Sequence, residues 1–314
     1  MPKYRQHLPQ LDGSIFLTDA GIETTLIFHE GLDLPYFAAF HLLKDEPGTE
    51  ALRRYFARHA TIARHSGVGF ILESATWRAS SDWGDKLGYA PWALAEANRK
   101  AIDLLHQLRL DLETDRSPMV ISGCIGPRGD GYDPGVLMSP EVAEAYHAAQ
   151  IGTFAQTEAD LVTAITMTHA GEAIGVTRAA QAAGMPVVIS FTVETDGKLP
   201  TGQPLKEAIQ EVDAATDRAP VYYMITCAHP SHFETVLDDQ AWMERLRGIR
   251  ANASKRSHAE LDEAADLDDG DPIELSQQYG GLRAQFSQIN VLGGCCGTDY
   301  RHIEQIASAC LEAA

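Results

Sequence analysis

Short apolar segments alternate with longer amphipathic segments along the sequence, and this alternation restricts the folds open to the chain. Eight segments carry the apolar and β-branched residues typical of strands that are buried on both faces: 15–19, 69–73, 119–124, 160–167, 186–193, 221–227, 247–251 and 288–292. Seven further segments have helical spacing: 50–66, 91–113, 140–158, 171–183, 205–217, 273–284 and 299–312. Because strands and helices alternate with no break in composition, the sequence predicts a single-domain (β/α)8 TIM barrel over residues 1–314.

The alternative α/β architecture is a doubly wound open sheet. Dinucleotide-binding sheets of that kind carry a G-x-G-x-x-G motif after the first strand, and this chain has none there. An acidic loop insert at 254–272 follows the seventh predicted strand. A surface loop without function and a lid over the site are both compatible with this insert.

The net charge of −19 argues against binding to nucleic acid or to an anionic membrane surface, which both require positive charge on the protein. No apolar run reaches the roughly 18 residues of a membrane span, and the polar residues 1–7 do not begin a signal peptide. We therefore expect a cytoplasmic protein whose partners are small molecules. The sequence leaves open whether it forms a homo-oligomer.

Three of the five cysteines follow predicted strands at positions that bring them together. Cys227 ends the sixth strand, and Cys295 and Cys296 lie in the run Gly-Gly-Cys-Cys-Gly-Thr at 293–298, directly after the eighth strand. The C-terminal ends of barrel strands meet on one face, where active sites of such barrels lie. Paired thiols there are compatible with a vicinal disulfide, a redox pair or ligands of a soft metal ion. Reduced thiols are expected in the cytosol, which disfavours the disulfide.

Three thiolates suit Zn²⁺, which prefers tetrahedral sulfur and nitrogen ligands, and three ligands leave one position open. A zinc ion with an open position can bind and deprotonate an incoming thiol. The resulting sulfur anion is a nucleophile for methyl transfer from a donor whose methyl group is carried on positive sulfur or nitrogen. The sequence thus predicts a zinc site formed by Cys227, Cys295 and Cys296, with a small-molecule thiol and a methyl donor as partners.

Several segments resemble the homocysteine S-methyltransferase family, a family of zinc-dependent barrels. These segments are 17–21, 72–77, 125–127, 189–199 and 293–298, and the resemblance extends from about residue 15 to residue 303. It implies transfer of a methyl group from S-methylmethionine, S-adenosylmethionine or a betaine to homocysteine, which gives methionine. It also implies that Cys227, Cys295 and Cys296 hold the zinc ion and that Asp19 lies near the amino-acid substrate.

Two positions depart from the family pattern. Many members carry a glutamate that faces the substrate amino group at the end of the fourth strand, where this chain has Ile165. Glu23 stands where a small residue is common. A hydrogen bond to a charged group contributes about 1.5–3 kcal/mol, so loss of a carboxylate weakens binding of an ammonium group. Either Glu23 restores the missing charge, or the acceptor is a thiol other than homocysteine.

Other residues near the predicted strand ends are further candidates. Thr76 and Thr166 follow or end the second and fourth strands, and we predict that they contact the substrate. For Glu73 and Thr76, at the end of the second strand, the alternative is that the side chain fixes the loop. Trp77, Trp83 and Tyr89 either hold a cationic donor by cation–π attraction or pack within their loop. Outside the methyltransferase interpretation, the cysteines are compatible with a non-catalytic metal-binding or thiol-redox protein.

Overall fold

Eight parallel strands pair in sequence order and close into a barrel through the pairing of the last strand with the first. The computed structural model describes residues 1–238, 240–264 and 266–312. The strands are β1 Phe16–Leu17, β2 Gly69–Glu73, β3 Met119–Ile125, β4 Leu161–Met167, β5 Val187–Thr192, β6 Tyr222–Thr226, β7 Leu246–Ala251 and β8 Val291–Gly294. The predicted single-domain TIM barrel is confirmed.

Helices fill the outer layer between the strands. They are α1 Glu46–Ser66, α2 Ser81–Lys86, α3 Pro91–Leu112, α4 Pro140–Ala155, α5 Ala170–Ala182, α6 Leu205–Thr216, α7 Pro230–Phe233, α8 His258–Asp262, α9 Pro272–Gln285 and α10 Tyr300–Glu312. The seven predicted helices correspond to α1, α3, α4, α5, α6, α9 and α10. The short helices α2, α7 and α8 were not expected, because fewer than two turns leave no clear periodicity in a sequence.

Helix α1 begins four residues before its predicted start at residue 50. The Asp45 side chain accepts a hydrogen bond of 2.9 Å from the Gly48 amide, which caps the first turn. Pro47 is tolerated there because the amides of the first turn have no partner inside the helix. The helix ends as predicted, with Gly67 in the left-handed conformation at φ 66°.

The interior of the barrel changes character along its axis. At the amino ends of the strands it is apolar, and its buried side chains are Leu8, Phe16, Ile71, Val120, Leu161, Val188, Tyr222, Met224 and Val291. Alternate residues of a strand face the same side, so residues two positions further along a strand from an inward-facing residue also face inward, nearer the carboxyl ends. They include Glu73, Ser122, Thr163 and Arg250, and the Ser122 and Thr163 hydroxyls lie 2.8 Å apart. The amino end of the barrel is therefore filled by apolar side chains, and the carboxyl end is lined by polar and charged side chains.

Closure of the barrel leaves no room for side chains at the end of β8. A Cβ atom on Gly293 would overlap the Thr18 side chain, and one on Gly294 would overlap the Thr298 side chain. The glycines before the paired cysteines are thus required by close packing. Among the described residues, no helix is long and apolar enough to cross a membrane.

Candidate active site

A cavity of about 540 Å³ lies at the carboxyl ends of the strands. The loops after β1, β2 and β3 and the end of β4 form one side of it, and the segment after β7 forms the other. Its lining brings together the three cysteines of the predicted metal site and several ionisable side chains. The ionisable residues in its lining include Asp19, Glu23, Glu73, Arg78, Asp130, Asp262 and Arg250.

The cysteine cluster, defined as Cys227, Cys295 and Cys296, forms part of the cavity lining. Their three sulfur atoms lie within 4.8 Å of one another. Cys227 and Cys295 are joined by a disulfide bond, whereas Cys296 is free and exposed. The expectation of three reduced thiols is therefore not met in this structure, and the bonded pair is not the vicinal one considered from the sequence. Barrel closure explains the pairing, because it brings the Cys227 and Cys295 Cα atoms to 5.3 Å.

Two ring side chains support the cysteine cluster from the loops around it. The Tyr132 hydroxyl lies 3.1 Å from Cys296 Sγ, and its ring stacks on His258 with the centroids 3.9 Å apart. His258 Nε2 lies 2.6 Å from the Cys227 carbonyl oxygen, and Nδ1 lies 3.0 Å from Glu194 Oε1. No sequence motif marks these contacts, since Tyr132, Glu194 and His258 lie in three separate segments of the chain.

A buried group of charged and polar residues lies beside the cysteines, and we refer to Asp19, Tyr55, Glu73 and Arg250 as the polar floor. Arg250 Nη2 lies 2.9 Å from Asp19 Oδ1, and the Tyr55 hydroxyl lies 2.9 Å from Asp19 Oδ2. Burial disfavours the Arg250 charge, but Asp19 and Glu73 outweigh burial and raise the pKa of the guanidinium. Asp19 borders the cavity as predicted, but its charge is already compensated there. The sequence does not distinguish Arg250 from Arg247, which lies on the same strand.

Glu73 of the polar floor and Glu23 both line the cavity without an ion-pair partner among the described residues. Burial raises the pKa of Glu73 to about 7, and it raises the pKa of the half-buried Glu23 to about 7 as well. Both groups therefore exchange protons near neutral pH. Glu23 lies where it could bind a cationic group, as the sequence hypothesis requires.

The family model for homocysteine S-methyltransferase matches residues 16–310. The chain belongs to the homocysteine S-methyltransferase family. Two solved forms of the homocysteine methyltransferase MmuM from Escherichia coli share its fold. The metallated form is 18% identical in sequence and has a TM-score of 0.70, and the match covers 95% of this chain and 97% of the MmuM chain. The oxidized form is 17% identical in sequence and has a TM-score of 0.72, and the match covers 98% of this chain and 99% of the MmuM chain.

No curated protein matches the sequence significantly. Family membership nevertheless confirms the resemblance read from the sequence and makes the protein a methyltransferase. The residues that depart from the family pattern can now be placed in the barrel.

The end of β4 is strained where this methyltransferase departs from the family pattern. The pairing of β4 with β5 shifts register between Ala164 and Met167, and Thr166 has φ 60°. A β-branched residue in that conformation is a true outlier, and such strain costs about 1–3 kcal/mol. The Trp77 indole donates a 2.9 Å hydrogen bond to Thr166 Oγ1 and helps hold it. The irregular strand end places both Thr166 and Ile165 in the cavity wall.

Thr76, the other predicted contact residue, does not line the cavity. Its hydroxyl donates a 2.8 Å hydrogen bond to the Cys124 carbonyl oxygen and lies 2.6 Å from the Ser74 hydroxyl. The side chain is fully buried. In this structure Thr76 therefore fixes the loop after β2 against β3.

The tryptophans after β2 already bind a cation. The Arg78 guanidinium lies 3.9 Å from the centroid of Trp77 and 3.8 Å from that of Trp83. Arg78 also donates to the Gly129 carbonyl oxygen and pairs with Asp130 at 3.3 Å. Burial lowers its pKa to about 10, so it remains charged at neutral pH. The loop-packing alternative therefore describes these rings better than the donor-binding one.

The acidic insert at 254–272 forms a wall of the cavity, with residue 265 outside the described residues. Leu261, Asp262 and Leu267 belong to the cavity lining. The Ala253 amide donates a 3.0 Å hydrogen bond to the Cys296 carbonyl oxygen just before the insert, and His258 contacts Cys227. The insert is thus tied at two points to the cysteine cluster.

Proposed function

We propose that this methyltransferase is a zinc-dependent thiol S-methyltransferase that transfers a methyl group from a small sulfonium or betaine-type donor to homocysteine, forming methionine. S-methylmethionine and S-adenosylmethionine are the favoured donors. The observation that carries the proposal is the convergence of three cysteine sulfurs within 4.8 Å at the cavity. Sulfur ligands around tetrahedral zinc are about 3.8 Å apart, so the cluster fits the ion once the Cys227–Cys295 bond is reduced.

A zinc ion held by Cys227, Cys295 and Cys296 would supply an acidic open position that favours ionisation of the acceptor thiol. The chain's own residues do the remaining work. Tyr132 holds Cys296 through its hydroxyl, and His258 holds the loop of Cys227 through the carbonyl oxygen. Asp262, which has no ion-pair partner among the described residues, adds negative charge to the cavity, and this charge attracts a positively charged methyl donor.

The proposal is tested on reduced, zinc-loaded protein by measuring bound zinc and methyl transfer together. We expect about one zinc ion per chain, and loss of both zinc and transfer in Cys227→Ser, Cys295→Ser and Cys296→Ser. Cys310→Ser is the matched control, because Cys310 is buried in α10 and does not line the cavity. Methyl transfer that survives in all three cluster variants would overturn the zinc mechanism.

A second candidate function, thiol–disulfide exchange, is favoured by the Cys227–Cys295 bond in this structure. The two functions differ in what the reduced protein does. A redox protein would exchange disulfides with a small dithiol without binding zinc, whereas the methyltransferase would bind zinc and consume a methyl donor. Zinc-free reduced protein that catalyses exchange would favour the second function.

A further inference from the structure

Arg250 is fixed between two members of the cysteine cluster. Its carbonyl oxygen accepts a 3.0 Å hydrogen bond from the Cys227 amide. Its side-chain Nε donates a 3.2 Å hydrogen bond to the carbonyl oxygen of Gly294, the residue before Cys295. The guanidinium therefore lies close to where the sulfur of an acceptor would bind. A short thiol bound at the cluster would bring its other end to this cation.

Part of the Arg250 guanidinium has no partner. Nη2 pairs with Asp19, but Nη1 is buried and has no hydrogen-bond partner among the described residues. Arg250 also forms part of the cavity lining. A buried cationic donor of this kind is complementary to a carboxylate, which accepts strong charge-assisted hydrogen bonds from guanidinium groups.

Two features of the cavity beside Arg250 disfavour an ammonium group. Asp19 is held by Arg250 and Tyr55, so its charge is already compensated. The strained end of β4 places the apolar Ile165 in the wall. An ammonium group beside Ile165 would lose water without gaining a hydrogen-bond acceptor. Glu23 and Glu73 line the cavity without an ion-pair partner among the described residues and are the competing anchors for such a group, so the experiment below compares thiols with and without an ammonium group.

We propose that the site selects its acceptor as a thiol carboxylate, anchored by Arg250 beside the cysteine cluster, and makes no use of an ammonium group. This inference rests on the proposed thiol methylation. Short mercapto carboxylic acids are then acceptors, and homocysteine is bound through its carboxylate. In the reaction the thiol loses its proton to solvent, and the sulfur electron pair forms the new bond to the methyl carbon. The bond from methyl to the donor sulfur or nitrogen breaks, and its electrons stay on the donor.

Three thiols of matched length test the carboxylate and the ammonium group of the acceptor separately. Homocysteine carries both groups, 4-mercaptobutyrate lacks the ammonium group, and 3-aminopropanethiol lacks the carboxylate. With zinc-loaded protein, we expect kcat/KM for 4-mercaptobutyrate to be within about threefold of that for homocysteine. For 3-aminopropanethiol we expect it to be at least about tenfold lower, the effect of one lost charge-assisted hydrogen bond. A preference for 3-aminopropanethiol over 4-mercaptobutyrate would overturn the inference.

Two variants test the residues themselves. The double variant Asp19→Asn/Arg250→Met removes the ion pair without leaving one charge buried alone. In this variant the preference for 4-mercaptobutyrate over 3-aminopropanethiol should fall to about threefold or less. Ile165→Glu should improve 3-aminopropanethiol by about tenfold relative to 4-mercaptobutyrate, whereas the neutral control Ile165→Gln should not. If Glu23→Gln raises the KM of homocysteine about tenfold and leaves that of 4-mercaptobutyrate unchanged, Glu23 binds the ammonium group and the inference is wrong.

Titration calorimetry with the same three thiols separates this inference from the proposed function. Binding in the order 4-mercaptobutyrate and homocysteine above 3-aminopropanethiol, without transfer from any donor, would support Arg250 as the anchor and refute the methyl transfer. Transfer with the reverse order of affinities would support the methyltransferase and refute the anchor.

Discussion

The cysteine cluster and the polar floor lie side by side in one cavity, yet they are built differently. The cysteines follow strand ends and are held by contacts from surrounding loops, through Tyr132 and His258. The polar floor is built from side chains that compensate one another inside the barrel, with the Asp19–Arg250 pair as its centre. The first arrangement leaves sulfur atoms available to a ligand. The second leaves one cation short of a partner, which makes it the part of the site that can distinguish acceptors.

The largest effect expected at the cysteine cluster comes from oxidation. A Cys227–Cys295 disulfide removes two thiolate ligands, so oxidised protein should bind no zinc and should lose methyl transfer by at least about a hundredfold. Treatment with a reductant and zinc should restore both, as measured by metal analysis and product formation. Undiminished activity in fully oxidised protein would show that the cluster is not the reaction centre.

At the polar floor, the largest effect should be on folding. Arg250→Ala leaves the Asp19 charge buried without its partner, and we expect the free energy of unfolding to fall by about 3–5 kcal/mol. Urea denaturation measures this change. Arg247→Ala, on the same strand and only half-buried, is the control and should change stability far less. Equal losses in the two variants would mean that the ion pair has no special role.

A smaller effect at the polar floor depends on pH. Burial raises the pKa of Glu73 from 4.5 to about 7, so the folded protein holds a proton that the unfolded chain releases between those pH values. This contribution makes the wild type less stable as pH rises through that window. Glu73→Gln cannot lose a proton, so its stability relative to the wild type should rise by about 1–3 kcal/mol between pH 5 and pH 8. A difference that stays constant with pH would place the Glu73 pKa at its usual value.

The smallest effect returns to the cysteine cluster. Tyr132→Phe removes only the hydroxyl that contacts Cys296 Sγ and keeps the ring stacked on His258. We expect zinc affinity to fall by about tenfold, measured by competition with a chromogenic chelator, with the melting temperature unchanged. Phe28→Tyr, on an exposed ring elsewhere in the cavity lining, is a control for a change of one hydroxyl group. Unchanged zinc affinity would show that the hydroxyl does not support the cluster.

The barrel and the convergence of the cysteines could both be predicted from the sequence for the same reason. Periodic apolar segments define the strands, and parallel strands in a closed barrel bring their carboxyl ends together whatever the loops contain. The strand pattern alone therefore predicts that Cys227 and the 293–298 run converge, and in the structure their sulfur atoms lie within 4.8 Å of one another.

The polar floor could not be predicted, because it depends on which side chains meet across the barrel. Asp19 follows β1 and Arg250 lies in β7, far apart in the sequence, and neither segment carries a pattern that predicts their ion pair. The strain at Thr166 was equally hidden, since a threonine gives no sign of a positive φ angle. The Thr76 hydroxyl donates to the Cys124 carbonyl oxygen of β3, a contact that the sequence does not predict. Pairing and strain are properties of the folded state, whereas strand patterns are local.

The two glycines at the end of β8 are required by the fold, whereas the two cysteines that follow them are required by the proposed chemistry. Any side chain at Gly293 or Gly294 would collide with Thr18 or Thr298, whether or not the protein binds a metal. Cys296 is exposed, and its side chain contacts the Tyr132 hydroxyl and the cysteine cluster rather than the closing strands. A descendant of this protein that had lost its chemistry would therefore be free to lose Cys296 and would still have to keep the glycines. In a related sequence, the presence of the glycine pair therefore indicates only that the barrel closes. A cysteine at the position of Cys296 is the better sign that the activity is retained.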